Sequence, residues 1–554
     1  MALVHRINSN FGFVLNTLYC KCITNIRKFV AEHNAMRYSN QVGANELNYK
    51  SFEQMLKFRQ NEARKSILVK LNNMNHIGQL EDFCNHYATI VNIFPYHTMN
   101  NNNFVLIELQ SAEAVRHIRD IAVLKRDIGH VKSVTSLFVY RSLNKSCSNV
   151  SKKDIYSNFN VPELDEIRKL LEQVDSVSDQ MIYLYNGLKI TDLDIRLRFY
   201  TANQISYHLS KLFLNICVVP FGSSVNGFGQ LGCDLDLLCK TIVDIDKNIN
   251  WRKFLFMTRN IPLTERNEQK EFLEAVGTVM KICVPGIIDI KKVLGARVPI
   301  IKFYNTYTNM QCDLSSTNMI ALHMSELLYT YGQLDWRIKP LVFTIRKWAR
   351  VMNLTKEHPG HWITNFSLTL LIIFYLQVKN ILPSVKTINH FVGLNKSNKT
   401  STTPDFDWFV DYKKSIKCTN NENLHSLLFN FFEYYSIFDF KTQAICIREG
   451  TSKPKSDFSP LYIHNPFDTT LNVSKNVTLC ELIRLIDHFQ KAFNTMLNSA
   501  EKDIILKLIN LKSKPTKTNY VLNNQKTGIE LEEKLFSTVT NINSLKKVQG
   551  NIMK

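Results

Sequence analysis

Two aspartates one residue apart, Asp234 and Asp236, close the stretch FGSSVNGFGQLGCDLDLL that spans residues 221–238. They alternate with Leu235 and Leu237, and a period of two puts both carboxylates on one face of a strand and both leucines on the other. Side-by-side carboxylates with no Lys or Arg between them repel, and a bound divalent cation is the usual remedy. Hard oxygen ligands suit Mg²⁺ or Mn²⁺. The Gly-Ser pair upstream, Gly222 and Ser223, could cradle a phosphate through backbone N–H groups. A phosphate loop beside a carboxylate pair points to metal-assisted phosphoryl or nucleotidyl transfer.

The Asp-x-Asp spacing alone is weak, because the chain carries it four times, at Asp192/Asp194, Asp234/Asp236, Asp244/Asp246 and Asp405/Asp407. Asp192 follows Thr191 where a helical pattern begins, and acids favour helix N-termini. The pairs at 244 and 405 have no Gly-Ser element upstream and read as solvated surface. Later strands offer two further carboxylates, Asp313 in MQCDL and Asp289, the latter beside Lys291 and Lys292, which suggest a surface pair. Farther on, Arg346 and Arg350 are four apart and so share one helix face.

The rest of the chain has to position these groups. Its 554 residues are enough for three or four domains, with 45% hydrophobic and 21% charged residues, a globular composition. The longest apolar run, Leu370–Leu376, is too short to span a bilayer. A formal net charge of +20 favours a polyanionic partner, nucleic acid before membrane surface. The twelve cysteines contain no C-x-x-C pair and read as reduced, structural thiols, which fits an intracellular compartment.

In chain order, residues 1–31 hold Arg6, Lys21, Arg27 and Lys28 and no acid, as a mitochondrial presequence would; presequence and arm are expected over 1–40. Residues 60–142 read as strand, helix, strand, strand, helix, strand, the order of an RNA-recognition-motif-like domain. The strands expected to be central, ILVKLN and NFVLIEL, offer only Phe104 as an aromatic, so base stacking is not expected. Assembly, as a homodimer through this sheet, becomes an equally good role. A polar linker follows at 143–160, then a helix from about Thr191 to Phe213. Next come strand Ile216–Pro220, the Gly-Ser turn, a further helix and the Asp-bearing strand. Strands at Val298–Phe303 and Met310–Leu314 complete a palm expected over 161–317. From 318 to 502 the pattern is helical, and 503–554 reads as a basic tail, with ten lysines and five acids after Ala500.

GSSVNGFG followed by GCDLDL resembles the nucleotidyltransferase motif of the polymerase-β-like superfamily, in the form found in noncanonical poly(A) polymerases and terminal uridylyltransferases. The resemblance is strong over Pro162–Lys502 and loose before it. It implies an α+β architecture: a palm of mixed sheet and helices, a helical poly(A)-polymerase-associated domain, and an N-terminal RNA-recognition-motif-like α/β domain. The implied activity is template-independent transfer of AMP from ATP to RNA 3′ ends of mitochondrial transcripts, a polynucleotide adenylyltransferase. Two Mg²⁺ or Mn²⁺ ions would be held by Asp234, Asp236 and Asp313, activating the 3′-hydroxyl and stabilising pyrophosphate. Gly222, Ser223 and the backbone of Gly232 and Cys233 would contact phosphates, and Arg346 with Arg350 the triphosphate. Phe366 stands where the family has a base-stacking tyrosine. Met324 departs from an Asn near the sugar, with Ser325 keeping a hydroxyl. Asn465-Pro466-Phe467-Asp468 would lie against the base. Leu471 occupies the position of a uridylyltransferase His, which implies preference for adenine. A uridylyltransferase with the same chemistry, and a non-catalytic RNA-binding scaffold, are the rival readings.

Overall fold

The computed structural model describes residues 50–126, 129–132, 135–140, 164–213, 216–241, 265–316, 318–358, 360–390 and 420–509. The presequence, the linker at 143–160, and the Asp244/Asp246 and Asp405/Asp407 pairs lie outside them.

Helix α1 (Phe52–Arg64) opens the described chain with a capping box, in which Ser51 caps Gln54 N–H and the Gln54 side chain returns the bond. The first sheet then forms from β1 (Ser66–Leu71), β2 (Ile90–His97), β3 (Asn103–Leu109) and β6 (Leu137–Tyr140), in the order β2-β3-β1-β6. Helices α2 (Ile77–Tyr87) and α3 (Ala112–Ile121) cover one face, burying Ile67, Val69, Val105 and Ile107 against Leu80, Val115 and Ile118. Along the chain the elements run strand, helix, strand, strand, helix before a feature that the expected order does not include. A hairpin of β4 (Val123–Arg126) and β5 (Gly129–Lys132) is inserted, and β6 then joins β1 in parallel.

The other face of this sheet is not free. Leu68, Tyr96, Phe104 and Leu106 share a core with Leu197, Tyr200 and Ile205 of the next domain. Tyr96 and Phe104 stack at 5.8 Å, and the Tyr96 hydroxyl donates to Tyr307 O at 2.8 Å. Strands buried on both faces read as continuous aliphatic runs, which is why ILVKL lacks a polar alternation. Both faces of the sheet through which dimerisation is expected are therefore packed within the same chain.

The palm is a five-stranded sheet in the order β7-β8-β11-β10-β9, from β7 (Ile216–Phe221), β8 (Leu235–Thr241), β9 (Ile287–Val293), β10 (Ile300–Asn305) and β11 (Met310–Ser315). Only the β8–β11 pair is parallel. Helices α6 (Asp192–Leu209) and α7 (Glu265–Cys283) pack on the face that carries Leu235, Leu237, Ile301, Phe303 and Leu314. Thr191 caps α6 through Asp194 N–H, as its sequence suggests. Asp192 pairs with Arg59 and Arg196, and Arg196 also binds Glu62 and Glu108, so a single network ties α1 and β3 to the palm. The helix expected between the Gly-Ser turn and β8 is not formed. A single 3₁₀ turn, Gly222–Ser224, is followed by loop, because Gly227, Gly229 and Gly232 disfavour a helix.

The helical body comprises α8 (Met319–Leu334), α9 (Ile338–Val351), α10 (Asn365–Val378), α11 (Leu424–Ile437), α12 (Leu479–Leu497) and α13 (Ile504–Leu508), with a small hairpin of β12 (Gln443–Cys446) and β13 (Thr451–Pro454). Its centre is aromatic: Trp348 stacks on Phe489 and meets Phe432 edge-on. Two expected boundaries shift. Helices α4 (Leu164–Leu171) and α5 (Val177–Leu188) precede the palm in sequence but bury Ile167, Leu171, Met181 and Leu184 in the helical core. The segment 504–509, expected as tail, buries Ile504, Ile505, Leu506, Leu508 and Ile509 there too. Among the described residues no helix is long and apolar enough to cross a membrane.

Candidate active site

Strand pairing assembles the carboxylates. Asp236 is the second residue of β8, Asp234 stands just before that strand, and Asp313 on β11 lies directly opposite Asp236 in the parallel register. Leu235 and Leu237 point into the core and are fully buried, so the alternation read from the sequence fixes which way the acids face. Asp289, the other later-strand acid, is an exposed residue of edge strand β9 in a left-handed conformation, φ 55°.

Gly222 is required at the mouth of β7 on two counts. Its φ of 67° is left-handed, and a Cβ there would sit 2.6 Å from Asp236 Oδ2. Its N–H donates to Ser325 Oγ at 2.8 Å, and Ser325 in turn donates to Ala321 O at 2.6 Å. Ser325, expected at the sugar, thus holds the loop in this state. Cys233 N–H is taken up by Gln230 O, and Cys233 O accepts from Arg198.

Arg198 is the residue that sequence reasoning misses. This guanidinium on α6 is 2% exposed and donates to Ser224 Oγ at 2.8 Å, Asp234 O at 2.9 Å and Cys233 O at 2.6 Å. It joins the Gly-Ser loop to the base of the aspartate strand and sets a positive charge behind the acids. The signal for it is a charge on a helix face with Asp194, Thr201 and Ile205, all buried and spaced by three or four.

A cavity of about 460 Å³ opens between the palm and helices α8, α9 and α10. Its lining includes the expected Gly222, Ser223, Asp236, Ser325, Arg346, Phe366 and Asn465, together with Asn226, Met324, Asn365 and Thr369. Gly232, Cys233, Asp234, Asp313, Arg350, Asp468 and Leu471 are not part of that lining. Arg346 donates to Phe228 O at 2.8 Å; burial lowers its pKa to about 10, so it stays cationic at neutral pH. One turn on, Arg350 is exposed and paired with Glu357. Phe366 is 37% exposed, with a ring available for stacking. Asn465 accepts from the N–H groups of Phe467 and Asp468 through Oδ1, which engages the oxygen in a turn and leaves the amide NH₂ as its donor. Leu471 N–H closes that same turn on Asp468 O.

The electrostatics fit a cation site. Burial, then Asp313, then Asp234 push Asp236 up to about 7, against the pull of Arg198 and Lys302. Asp234 is also raised, by burial first and Asp313 second. Carboxylates raised by burial and by a neighbouring carboxylate gain most from a bound divalent ion. Among the described residues no three candidate ligands already converge as a metal cage. Asp313 Oδ2 is instead held by Lys302 Nζ at 2.5 Å. Three all-oxygen donors on adjacent strands nonetheless match a hard cation such as Mg²⁺ or Mn²⁺.

Comparison with known proteins gives the family and the fold. The family "Poly(A) RNA polymerase, mitochondrial-like, central palm domain" matches residues 177–333, and "Cid1 family poly A polymerase" matches 423–471. The chain is 31% identical to the mitochondrial poly(A) RNA polymerase of Drosophila melanogaster over 83% of its own length and 78% of the relative's. It is 40% identical to that of Homo sapiens over 58% and 56%. A crystal structure titled mtPAP in complex with CTP superposes with a TM-score of 0.74 at 31% identity, covering 84% of this chain and 99% of that one. The corresponding complex with ATPγS gives 0.72 at 30%, covering 83% and 99%. With the paired aspartates, the Gly-Ser loop and the cavity between palm and helices in place, this chain belongs to the mitochondrial poly(A) RNA polymerase family of nucleotidyltransferases.

Proposed function

We propose that the chain adds AMP from ATP to the 3′ end of RNA in the mitochondrial matrix, with Asp234, Asp236 and Asp313 holding Mg²⁺ or Mn²⁺. The observation that carries this is the register placing Asp313 opposite Asp236 beside the Gly222–Ser223 loop. Bound divalent ions supply Lewis-acid activation of the attacking hydroxyl and charge neutralisation on the phosphates. The protein supplies the alignment. Gly222, Ser223 and Arg346 receive the triphosphate, with Arg350 joining once it releases Glu357. Phe366 stacks on the base, and the Asn465 amide donates to its edge. Asp313 orients the RNA 3′-hydroxyl for in-line attack on the α-phosphate, and pyrophosphate leaves toward Arg346. Base choice rests with the cavity wall, including Asn365 and Thr369. Relatives titled mtPAP have been crystallised with CTP, UTP and GTP as well as ATPγS, so preference for ATP belongs to turnover as well as binding. Self-association, with the sheet face covered, is left to edge strands such as β2 and β6.

The test is incorporation of each NTP onto a short RNA by the full chain and by Asp234→Ala. ATP is expected to be used best, with the variant slowed at least ~100-fold and its thermal unfolding intact. Near-normal activity in Asp234→Ala would overturn the reading. Equal use of UTP would instead make the enzyme a broader terminal nucleotidyltransferase.

A further inference from the structure

The strand registers place five residues in one row across the palm: Phe221, Asp236, Asp313, Lys302 and Lys291, each directly opposite the next. Directly opposed residues lie on the same face of a sheet. The row therefore runs from the nucleotide cavity, which Phe221 and Asp236 line, past the acids to two lysines on β10 and edge strand β9. We infer that Lys302 and Lys291 form the track that receives the phosphodiester backbone of the RNA 3′ strand, Lys302 taking the last internucleotide phosphate and Lys291 the one before it.

This rests on the nucleotidyl-transfer reading above, and three observations carry it further. In-line displacement puts nucleophile and leaving group on opposite sides of the α-phosphate. The nucleotide cavity lies on the β7–β8 side of Asp313, so the attacking RNA end must come from the β10 side, where the lysines stand. Next, the two cations nearest the acids differ in freedom. Arg198 is buried and fixed by three acceptors. Lys302 is 46% exposed on a flexible stem, beside an Asp313 that is 21% exposed. With Asp313 engaged in holding a divalent cation, the Lys302 ammonium would be less strongly attracted to it. The nearest anion is then the phosphate one nucleotide back from the attacking hydroxyl. Finally, Lys291 is exposed and has no carboxylate partner among the described residues, whereas its neighbour Lys292 is paired with Glu274. Strands stand about 4.8 Å apart, so the row offers cations at the spacing an extended RNA backbone can follow.

The experiment compares the full-length enzyme with Lys302→Gln and Lys291→Gln, measuring fluorescence-anisotropy Kd for a short RNA across salt concentrations and KM for RNA and ATP. Each variant is expected to weaken RNA binding ~5-fold and flatten the salt slope by ~0.7 per lysine, with the ATP KM unmoved in Lys291→Gln. A methylphosphonate at the last linkage should weaken binding to the unmodified enzyme but add little further loss to Lys302→Gln. Because Lys302→Gln also frees Asp313, Lys291→Gln carries the independent arm. Unchanged RNA affinity and salt slope in Lys291→Gln, or full additivity of the methylphosphonate with Lys302→Gln, would overturn the track. An unmodified enzyme that adds no nucleotide in the same assay would instead overturn the parent reading.

Discussion

Asp236 is the residue at which the proposed metal chemistry and the stability of the fold oppose each other. Its ordinary value of 3.8 rises to about 7 in the folded, metal-free protein. Between these values the folded state binds a proton that the unfolded state has lost. Stability of the metal-free protein should therefore fall as pH rises from about 4 to about 7 and level off above that. Asp236→Asn should remove this slope and stabilise the metal-free protein at pH 8 by roughly 2–4 kcal/mol, since a tenfold change in proton affinity corresponds to about 1.4 kcal/mol, while abolishing catalysis. Urea unfolding in EDTA at pH 4 and pH 8 measures it; parallel curves for the two proteins at both values would refute it. Asp234 and Asp236 are legible in the sequence because alternation is a local property of a strand. Arg198 is hidden because its acceptors, Ser224, Cys233 and Asp234, lie 26 to 36 residues away and two are backbone carbonyls, which every residue carries.

At the scale of elements, the N-terminal sheet shows what a local reading can and cannot reach. Its strands and helices are legible to within a few residues, because each obeys its own periodicity. The use of its second face is not, since an aliphatic strand face has the same composition whether it meets another molecule or the next domain. Tyr96, 0% exposed with its hydroxyl on Tyr307 O, and Phe104 decide the matter in favour of the palm. A charged residue there would be left without a partner in an apolar interface. Phe104→Asp is thus expected to destabilise the protein by ~3–5 kcal/mol, from lost ring packing plus the buried charge. It should lower the melting temperature of the palm together with the first domain; a change confined to oligomeric state would point back to dimerisation. A chain beginning near Val161 would uncover the same apolar palm surface, so its solubility would suffer before its assembly could be read.

The molecule as a whole closes on itself at the helical body. Helices α4 and α5 enter that body from before the palm, and α13 enters after everything else. The Gln180 side-chain amide donates to Leu171 O, Val174 O and Lys502 O at 2.9 to 3.1 Å, binding the two ends together. Sequence periodicity cannot assign α13 to a core, because five helical residues followed by a lysine-rich tail look like the start of that tail. Two shortened chains test its role. Ending after residue 510 should leave unfolding unchanged, whereas ending at Lys502 removes five buried apolar residues at about 1.5–3 kcal/mol each for full burial and should unfold the helical body first. Equal stability of the two would show that α13 contributes nothing.

That closure has a consequence for the order in which the enzyme can be made. A chain that emerges from its N-terminus completes the palm sheet at Ser315, while α4 and α5 already hang from it with their apolar stripes uncovered. Their partners α9, α11 and α13 arrive one after another, and the last of them is 193 residues behind the sheet, counting from Ser315 to Leu508. Asp236 and Asp313 can therefore be in register long before the helical wall of the cavity exists. For that interval the carboxylate row stands beside the uncovered apolar side chains of α4 and α5, Ile167, Leu171, Met181 and Leu184, which the finished fold buries.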